Sequence, residues 1–294
     1  MSELVLKRRA ISLAVLALMA VLVWWPGLFE GEISLRADVC DPTQLCVVFL
    51  DVGQGDGIFI QSPSGMQMLI DTGRDQSVLR GLGDVMSFSD RDIDYVLVTH
   101  PDADHIGGLS EVLDRFEVKQ VIRTENESDS GLWTTSENKI EAEGAGVLMA
   151  RRGQTVDLGS GVSLEILFPD VDPSSMESNT ASIVARLVYG ETAFMLTGDS
   201  PKSIEEYLVL VEGEHLQSDV LKAGHHGSRT STSELFLAEV DPEFAVISAG
   251  KDNSYGHPHL EVTDALFNFG VETFNTAENG HVVFWSDGGT VSKK

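Results

Sequence analysis

The chain has 294 residues, 42% of them hydrophobic, which is enough for a sizeable core and argues against global disorder. Its 20 Lys and Arg against 46 Asp and Glu leave a formal net charge of −26, which argues against a basic groove for nonspecific nucleic-acid binding. A nucleic acid held through metal ions stays open, and acidity of this degree otherwise serves solubility or a saline habitat.

Ala10 to Phe29 carry no charge and are rich in Leu, Val and Ala. A helix of that length spans about 30 Å, the hydrocarbon thickness of a bilayer. Lys7, Arg8 and Arg9 precede it, and Trp24 and Trp25 lie near its far end, where interfacial aromatics are expected. The expected organisation is a cytoplasmic stub and transmembrane anchor over 1–29, a linker over 30–44 and an exported domain over 45–294. A cleaved signal peptide gives the same compartment, and a buried core helix is the third reading. Cys40 and Cys46, just after this run, are expected to close a small disulfide loop in an oxidising compartment; the alternative is two free thiols, with Cys46 in a buried strand.

The pattern then becomes strand-like. Strands are expected at Cys46–Leu50, Gly57–Gln61, Gln67–Ile70 and Val96–Thr99. Leu109, Val112, Leu113 and Phe116 recur at helical spacing and predict a helix over Ile106–Phe116, with a strand at Val118–Arg123. Glu125–Glu143 is polar, an exposed loop and a helix. Strands resume at Val162–Phe168, Ser182–Tyr189, Ala193–Leu196, Asp219–Lys222, Ala245–Ser248 and Val282–Trp285. Helices are expected at Pro201–Val211, Ser233–Ala238 and Glu261–Phe269. Blocks of strands followed by helices in each half predict stacked sheets with helices outside.

Four motifs carry chemistry. Thr99-His100-Pro101-Asp102-Ala103-Asp104-His105 places two imidazoles and two carboxylates at a strand end. Such a cluster suits Zn, Mn or Fe, and the extra carboxylate favours harder ions; the plain alternative is a polar turn in which Asp104 caps the next helix. Leu196-Thr197-Gly198-Asp199 ends another strand in a Gly-supported turn. Leu221-Lys222-Ala223-Gly224-His225-His226-Gly227-Ser228 follows a third, and Tyr255-Gly256-His257-Pro258-His259 is the last. Six of the eight His residues fall in these motifs; His215 and His281 look ordinary. Successive side chains of an extended segment point to opposite faces, so one of His225 and His226 is expected to bind metal and the other to meet substrate as a general acid.

Together with Asp51-Val52-Gly53-Gln54-Gly55-Asp56 and Ile70-Asp71-Thr72-Gly73, this series resembles the metallo-β-lactamase superfamily, and within it the hydrolase domain of ComEC-type DNA-uptake proteins. The resemblance covers about residues 45–290 and implies an α/β (α+β) fold, a four-layer αββα sandwich, here preceded by one N-terminal transmembrane helix. It implies two divalent metal ions, Zn or Mn, bound by His100, Asp102, Asp104, His105, Asp199, His225 and His257. Asp102 stands where most of the superfamily has a His, and Asn179-Thr180-Ala181-Ser182 occupies the region of a further His that is missing. His225 is the first choice to compensate, and Asp104 and His226 carry the catalytic roles. Asp71 orients a ligand from behind. Asp56, Asn179, Ser228 and Tyr255 are expected behind the ligands or against substrate, with a capped Gly-rich turn as the plain reading of Asp56.

Paired metals lower the pKa of a shared water and neutralise phosphate charge, so a phosphodiester or nucleic-acid substrate is expected. No Gly-x-Ser-x-Gly elbow or P-loop is present. With one apolar run and no channel, the chain is expected to act as an anchored or secreted hydrolase rather than as a transporter. The alternatives are hydrolysis of another ester or lactam-like bond, and a non-catalytic metal-binding module at the membrane.

Overall fold

The computed structural model describes residues 39–294. The apolar run Ala10–Phe29 and residues 30–38 of the linker lie outside the described residues. No helix among the described residues is long and apolar enough to cross a membrane.

Among the described residues fifteen strands form two sheets. The first sheet begins with β1 (Leu45–Phe49), β2 (Ile58–Gln61), β3 (Gln67–Ile70), β4 (Asp92–Leu97), β5 (Glu117–Arg123) and β6 (Gly146–Met149). The second contains β7 (Thr155–Asp157), β8 (Val162–Phe168), β9 (Val184–Tyr189), β10 (Thr192–Leu196), β11 (Val220–Lys222), β12 (Phe244–Ile247) and β13 (Glu272–Asn275). β14 (Val282–Ser286) and β15 (Val291–Lys293) then return to the first sheet, where β14 pairs antiparallel with β1, Val47 opposite Phe284. In each sheet an antiparallel run passes into a parallel one: β3 to β6 in the first, β10 to β13 in the second.

The strands of the core read as unbroken apolar runs because both faces are covered. In β1 all five residues are buried. Leu45, Val47 and Phe49 point between the sheets, where they join Ile60, Met68, Phe194, Val220 and Phe284. Cys46 and Val48 point the other way, into a layer with Val78, Leu82, Leu109, Val112 and Trp133. Val78 and Leu82 come from the helix α1 (Ser77–Val85); Ile106 of α2 (Ala103–Ile106) joins them; Leu109 and Val112 come from α3 (Leu109–Arg115) and Trp133 from α4 (Gly131–Glu143). A matching layer on the second sheet is built by α5 (Lys202–Glu212), α6 (Glu234–Val240) and α7 (Leu260–Asn268), with Leu208, Phe236 and Leu266 in its core. The result is the expected αββα stacking. Cys40 and Cys46 are disulfide-bonded, with Cα atoms 5.4 Å apart.

Three expectations are corrected. The helix predicted over Ile106–Phe116 is interrupted at Gly107-Gly108, leaving α2 and α3. A Cβ on Gly107 would lie 2.0 Å from the carbonyl oxygen of Arg74, so the backbones touch there. β4 starts at Asp92 rather than Val96; its first residues include Asp92 and Asp94, a type depleted in strands, although only Asp92 is exposed. α1, β6, β7, β13, β15 and a one-turn helix α8 (Thr276–Asn279) were not anticipated; most are short or lie at sheet edges, where the hydrophobic period is weak.

Candidate metal centre

The segments that follow β1, β3, β4, β10, β11 and β12 converge at one edge of the sandwich. This is where the carboxyl ends of parallel strands usually present ligands. Asp56 lies after β1, Asp71 after β3, His100 to His105 after β4, Asp199 after β10, His225 and His226 after β11, and His257 after β12. Close backbone contact fixes the first of these loops. The N–H of Asp56 donates to the carbonyl of Asp104 (3.2 Å), and a Cβ at Gly55 would meet that oxygen at 2.1 Å.

One oxygen of Asp199, Oδ2, is ringed by imidazoles. It lies 3.3 Å from His105 Nε2, 3.4 Å from His226 Nε2, 3.6 Å from His225 Nε2 and 4.0 Å from His100 Nε2. Asp102 Oδ2 stands 3.7 Å from His100 Nε2, and Asp104 Oδ2 stands 3.5 Å from His226 Nε2. Donor atoms of Asp56, His105, Asp199 and His226 lie within 4.8 Å of one another. All four residues are buried.

The far side of each ring is held. Asp71 accepts from Thr99 N (2.8 Å) and Thr99 Oγ1 (2.6 Å), and its Oδ2 lies 2.8 Å from His105 Nδ1. A carboxylate there keeps a proton on Nδ1, so Nε2, on the Asp199 side, is the nitrogen open to a metal. Thr99 Oγ1, having donated to Asp71, is an acceptor for His100 Nδ1 at 3.0 Å, so His100 also presents Nε2 inward. Ser182 Oγ lies 3.2 Å from the same His100 nitrogen and accepts from Asp199 N. Ser182 thus fills the region of the missing His. Asp102 is at the N-cap of α2 but makes no capping bond; its Oδ1 accepts from Ser178 Oγ (2.6 Å), which leaves Oδ2 toward His100.

The remaining expected residues surround this group. His257 is half-buried, its ring centroid 5.6 Å from His225 and 6.3 Å from His226. Tyr255 is 52% exposed and stacks on His257 at 5.6 Å. Asn179 sits in a short 3-10 turn with Oδ1 buried and unpartnered. Ser228 is buried and accepts from Thr230 Oγ1, which in turn meets His225 Nδ1 at 3.2 Å.

His225 and His226 do not continue the strand. Both have left-handed backbones, φ 49° and 56°. The alternation rule for extended chain therefore does not apply, and both rings reach Asp199. Two such residues in succession cost about 1–3 kcal/mol each and need external support. It comes from His225 N donating to Gly198 O, and from buried Glu205 in α5. The Glu205 carboxylate accepts Thr232 N (2.6 Å) and Ser233 N (2.7 Å) just beyond the turn.

Lys222, quoted within a motif but given no role by the sequence, is fully buried in the centre. Its Nζ lies 2.6 Å from Asp56 Oδ2, donates to Gly198 O (2.9 Å) and stands 3.8 Å from Asp199 Oδ1. Its only sequence signal is a Lys ending an apolar strand before a Gly. Thr99, Ser178 and Ser182 were likewise missed as ring and carboxylate supports.

Charge and burial compete here. Burial works against the ionised form of Asp56, but Lys222 and then His226 outweigh it and hold this carboxylate at about 2. Burial opposes charge on Asp199 as well, and His226 and His105 pull it well below the usual range. His226, despite burial, is raised to about 9 by Asp199 and Asp56. His105 is raised well above its ordinary value by Asp199 and Asp71. His100 is pushed well below it by burial and by His105, and burial with His225 takes His257 down to about 4.

His100 Nε2, His105 Nε2 and His226 Nε2 are buried without any hydrogen-bond partner, and all three lie within 4.0 Å of Asp199 Oδ2. Buried polar atoms are nearly always paired, so this many orphans facing one point marks a place for a cation. Imidazoles mixed with carboxylates suit a divalent transition metal.

Residues 50–251 match the metallo-β-lactamase superfamily. The chain belongs to that superfamily. The chain is 31% identical over 261 residues to ComE operon protein 3 of Bacillus subtilis (strain 168), covering 81% of this chain and 32% of that protein. It is 30% identical over 262 residues to competence protein ComA of Neisseria gonorrhoeae, covering 89% of this chain and 35% of that protein. These relatives are of ComEC type, and the chain spans about a third of their length. Among solved structures, the metallo-β-lactamase fold protein YhfI from Bacillus subtilis aligns with a TM-score of 0.51 at 13% identity, covering 78% of this chain and 95% of that one. At that identity the likeness is one of fold. The superfamily fold and the four-residue candidate site together are those of a metal-dependent hydrolase.

Proposed function

We propose that this superfamily member is a phosphodiesterase, with single-stranded nucleic acid as its preferred substrate class, working outside the cytoplasm at the end of an N-terminal anchor. The observation that carries the hydrolase reading is the ring of four imidazole nitrogens within 4.0 Å of Asp199 Oδ2. Asp102 stands beside His100 Nε2 and Asp104 beside His226 Nε2. His100 with Asp102 would hold one divalent ion, Zn or Mn, and His105 and His226 with Asp104 a second, with Asp199 shared. Bound ions at such a pair supply a nucleophile at neutral pH and neutralise the charge of a phosphodiester. Asp71, Thr99 and Ser182 hold the imidazoles in the tautomer that presents Nε2. We assign to His225, more exposed than His226, the passing of a proton to the leaving oxygen. The direct test is metal analysis, then activity on a chromogenic phosphodiester and on single-stranded DNA with and without Mn²⁺. A chain that retains no metal and hydrolyses neither substrate sinks the reading.

Tyr255 supports the nucleic-acid part. An exposed aromatic stacked on a candidate ligand is a platform for a base, and such stacking is worth about 1–3 kcal/mol per base. Tyr255→Ala is expected to raise KM for single-stranded DNA about tenfold or more while leaving turnover of a small chromogenic diester unchanged. Equal effects on both substrates would remove the base-stacking role.

The anchor part rests on the uncharged run Ala10–Phe29 behind Lys7, Arg8 and Arg9, and on the disulfide between Cys40 and Cys46. A reporter fused after Lys294 is expected to work only outside the cytoplasm. Reporter activity inside the cytoplasm would overturn this topology.

A further inference from the structure

Among the described residues, Lys222 is the one buried lysine. A lysine in that position carries a large desolvation cost unless its protons are taken up. Two of its contacts are short, to Asp56 Oδ2 at 2.6 Å and to Gly198 O at 2.9 Å, and Asp199 Oδ1 faces it at 3.8 Å. These acceptors come from the loop after β1 and the turn after β10, so the ammonium ties together segments from both sheets.

The pairing leaves Asp56 with one free oxygen. Oδ1 stands 3.3 Å from His226 Nδ1, and the opposite nitrogen of that ring, Nε2, faces Asp104 and Asp199. The arrangement repeats the one beneath His105, where Asp71 backs Nδ1 and Nε2 faces Asp199. The two carboxylates are fixed differently. Asp71 is anchored by Thr99 from the neighbouring strand end, whereas Asp56 is anchored by Lys222.

We propose that Lys222 is a positioning residue: it holds one oxygen of Asp56 and the Gly198 carbonyl, so that Asp56 backs His226 Nδ1 and His226 presents Nε2 to the metal. Asp56 then works from behind the ring rather than as a ligand, and Lys222 decides which. The inference rests on the site being a metal centre.

Electrostatics and positioning predict opposite signs for one experiment. Deleting a cation beside Asp56 and Asp199 raises affinity for a divalent ion if Lys222 is only a nearby charge, or if it merely keeps Asp56 from binding the metal. Deleting a support of an imidazole ligand lowers affinity, typically about 10–100-fold. Zn²⁺ affinity of the full chain is measured by competition with a chromophoric chelator, and metal-free thermal stability is followed in parallel. Lys222→Met is expected to bind Zn²⁺ about 10–100-fold more weakly. If that variant does not fold, the pair Lys222→Met with Asp56→Asn removes both buried charges and restores folding. Its affinity is expected to stay reduced by the same factor. Asp56→Asn alone keeps the Lys222 contact but offers an amide to His226 Nδ1, and is expected to weaken binding similarly. Unchanged or raised affinity in Lys222→Met or in the double variant overturns the proposal. A wild-type chain that binds no Zn²⁺ would instead overturn the metal-centre reading, and this one with it.

Discussion

Asp199→Ala is expected to abolish phosphodiester hydrolysis, by at least about 10³-fold, and to empty the site of metal. Among the described residues no other carboxylate oxygen lies within 4.0 Å of four imidazole nitrogens, so no neighbour there can take over as the shared ligand. Metal stabilisation of transition-state charge amounts to several kcal/mol, and about 4 kcal/mol corresponds to that factor. Fold integrity is checked by circular dichroism, since His105 and His226 lose the partner that keeps them charged in the metal-free protein. Asp104→Ala is expected to act in the same direction through His226. Wild-type turnover in Asp199→Ala, with metal retained after dialysis, would refute the centre.

His226→Ala is expected to lose metal, and His225→Ala to lose mainly rate. This reverses the assignment drawn from the resemblance, in which His225 is the ligand and His226 the acid. His226 is buried and has Asp104, Asp199 and Asp56 around its two nitrogens, whereas His225 is partly exposed and offers Nε2 to Asp199 alone among the carboxylates. A proton count gives a second readout. In the metal-free protein His226 titrates at about 9, above the ordinary 6.5, so it is charged at pH 7. A metal takes the neutral ring, so binding at pH 7 releases this proton. The His226 contribution to affinity then rises about tenfold per pH unit up to about pH 9 and levels off above it. Calorimetry in buffers of different ionisation enthalpy is expected to show one proton fewer released by His226→Ala than by the wild type. Equal metal content in the two variants would remove both from the ligand set, and the opposite pattern would return the ligand role to His225.

The same shifts set the stability of the metal-free form. The raised value of His226 contributes stability that is complete below about pH 6.5 and is lost as pH rises through about 9. The depressed value of Asp56 contributes stability present above its ordinary 3.8 and lost as pH falls through about 2. Both favour the neutral range, where the charged carboxylates and imidazoles compensate one another.

Much of this molecule is legible in its order of residues. Apolar runs such as Cys46–Leu50 and Ala193–Leu196 are buried on both faces, so composition alone marks them as core strands. The His and Asp residues of the centre lie at the ends of those runs because a strand end is where a side chain can leave the sheet and meet another. Short-range motifs therefore name His100, Asp102, Asp104, His105, Asp199 and the His225–His226 pair. What only the tertiary structure decides is how each group faces the rest. The pair at 225 and 226 adopts two left-handed residues because Gly198 and Glu205, distant in sequence, hold the turn. Lys222 reads as the end of a strand until the loop carrying Asp56 is laid against it across 166 positions. Ser182 looks like the first residue of a strand, and becomes a support of His100 only when β4 and β9 bring their ends together. Local pattern determines which residues reach the edge of the sheets, because burial acts on each strand separately. Their roles there depend on contacts between strands from both sheets, which no local pattern records.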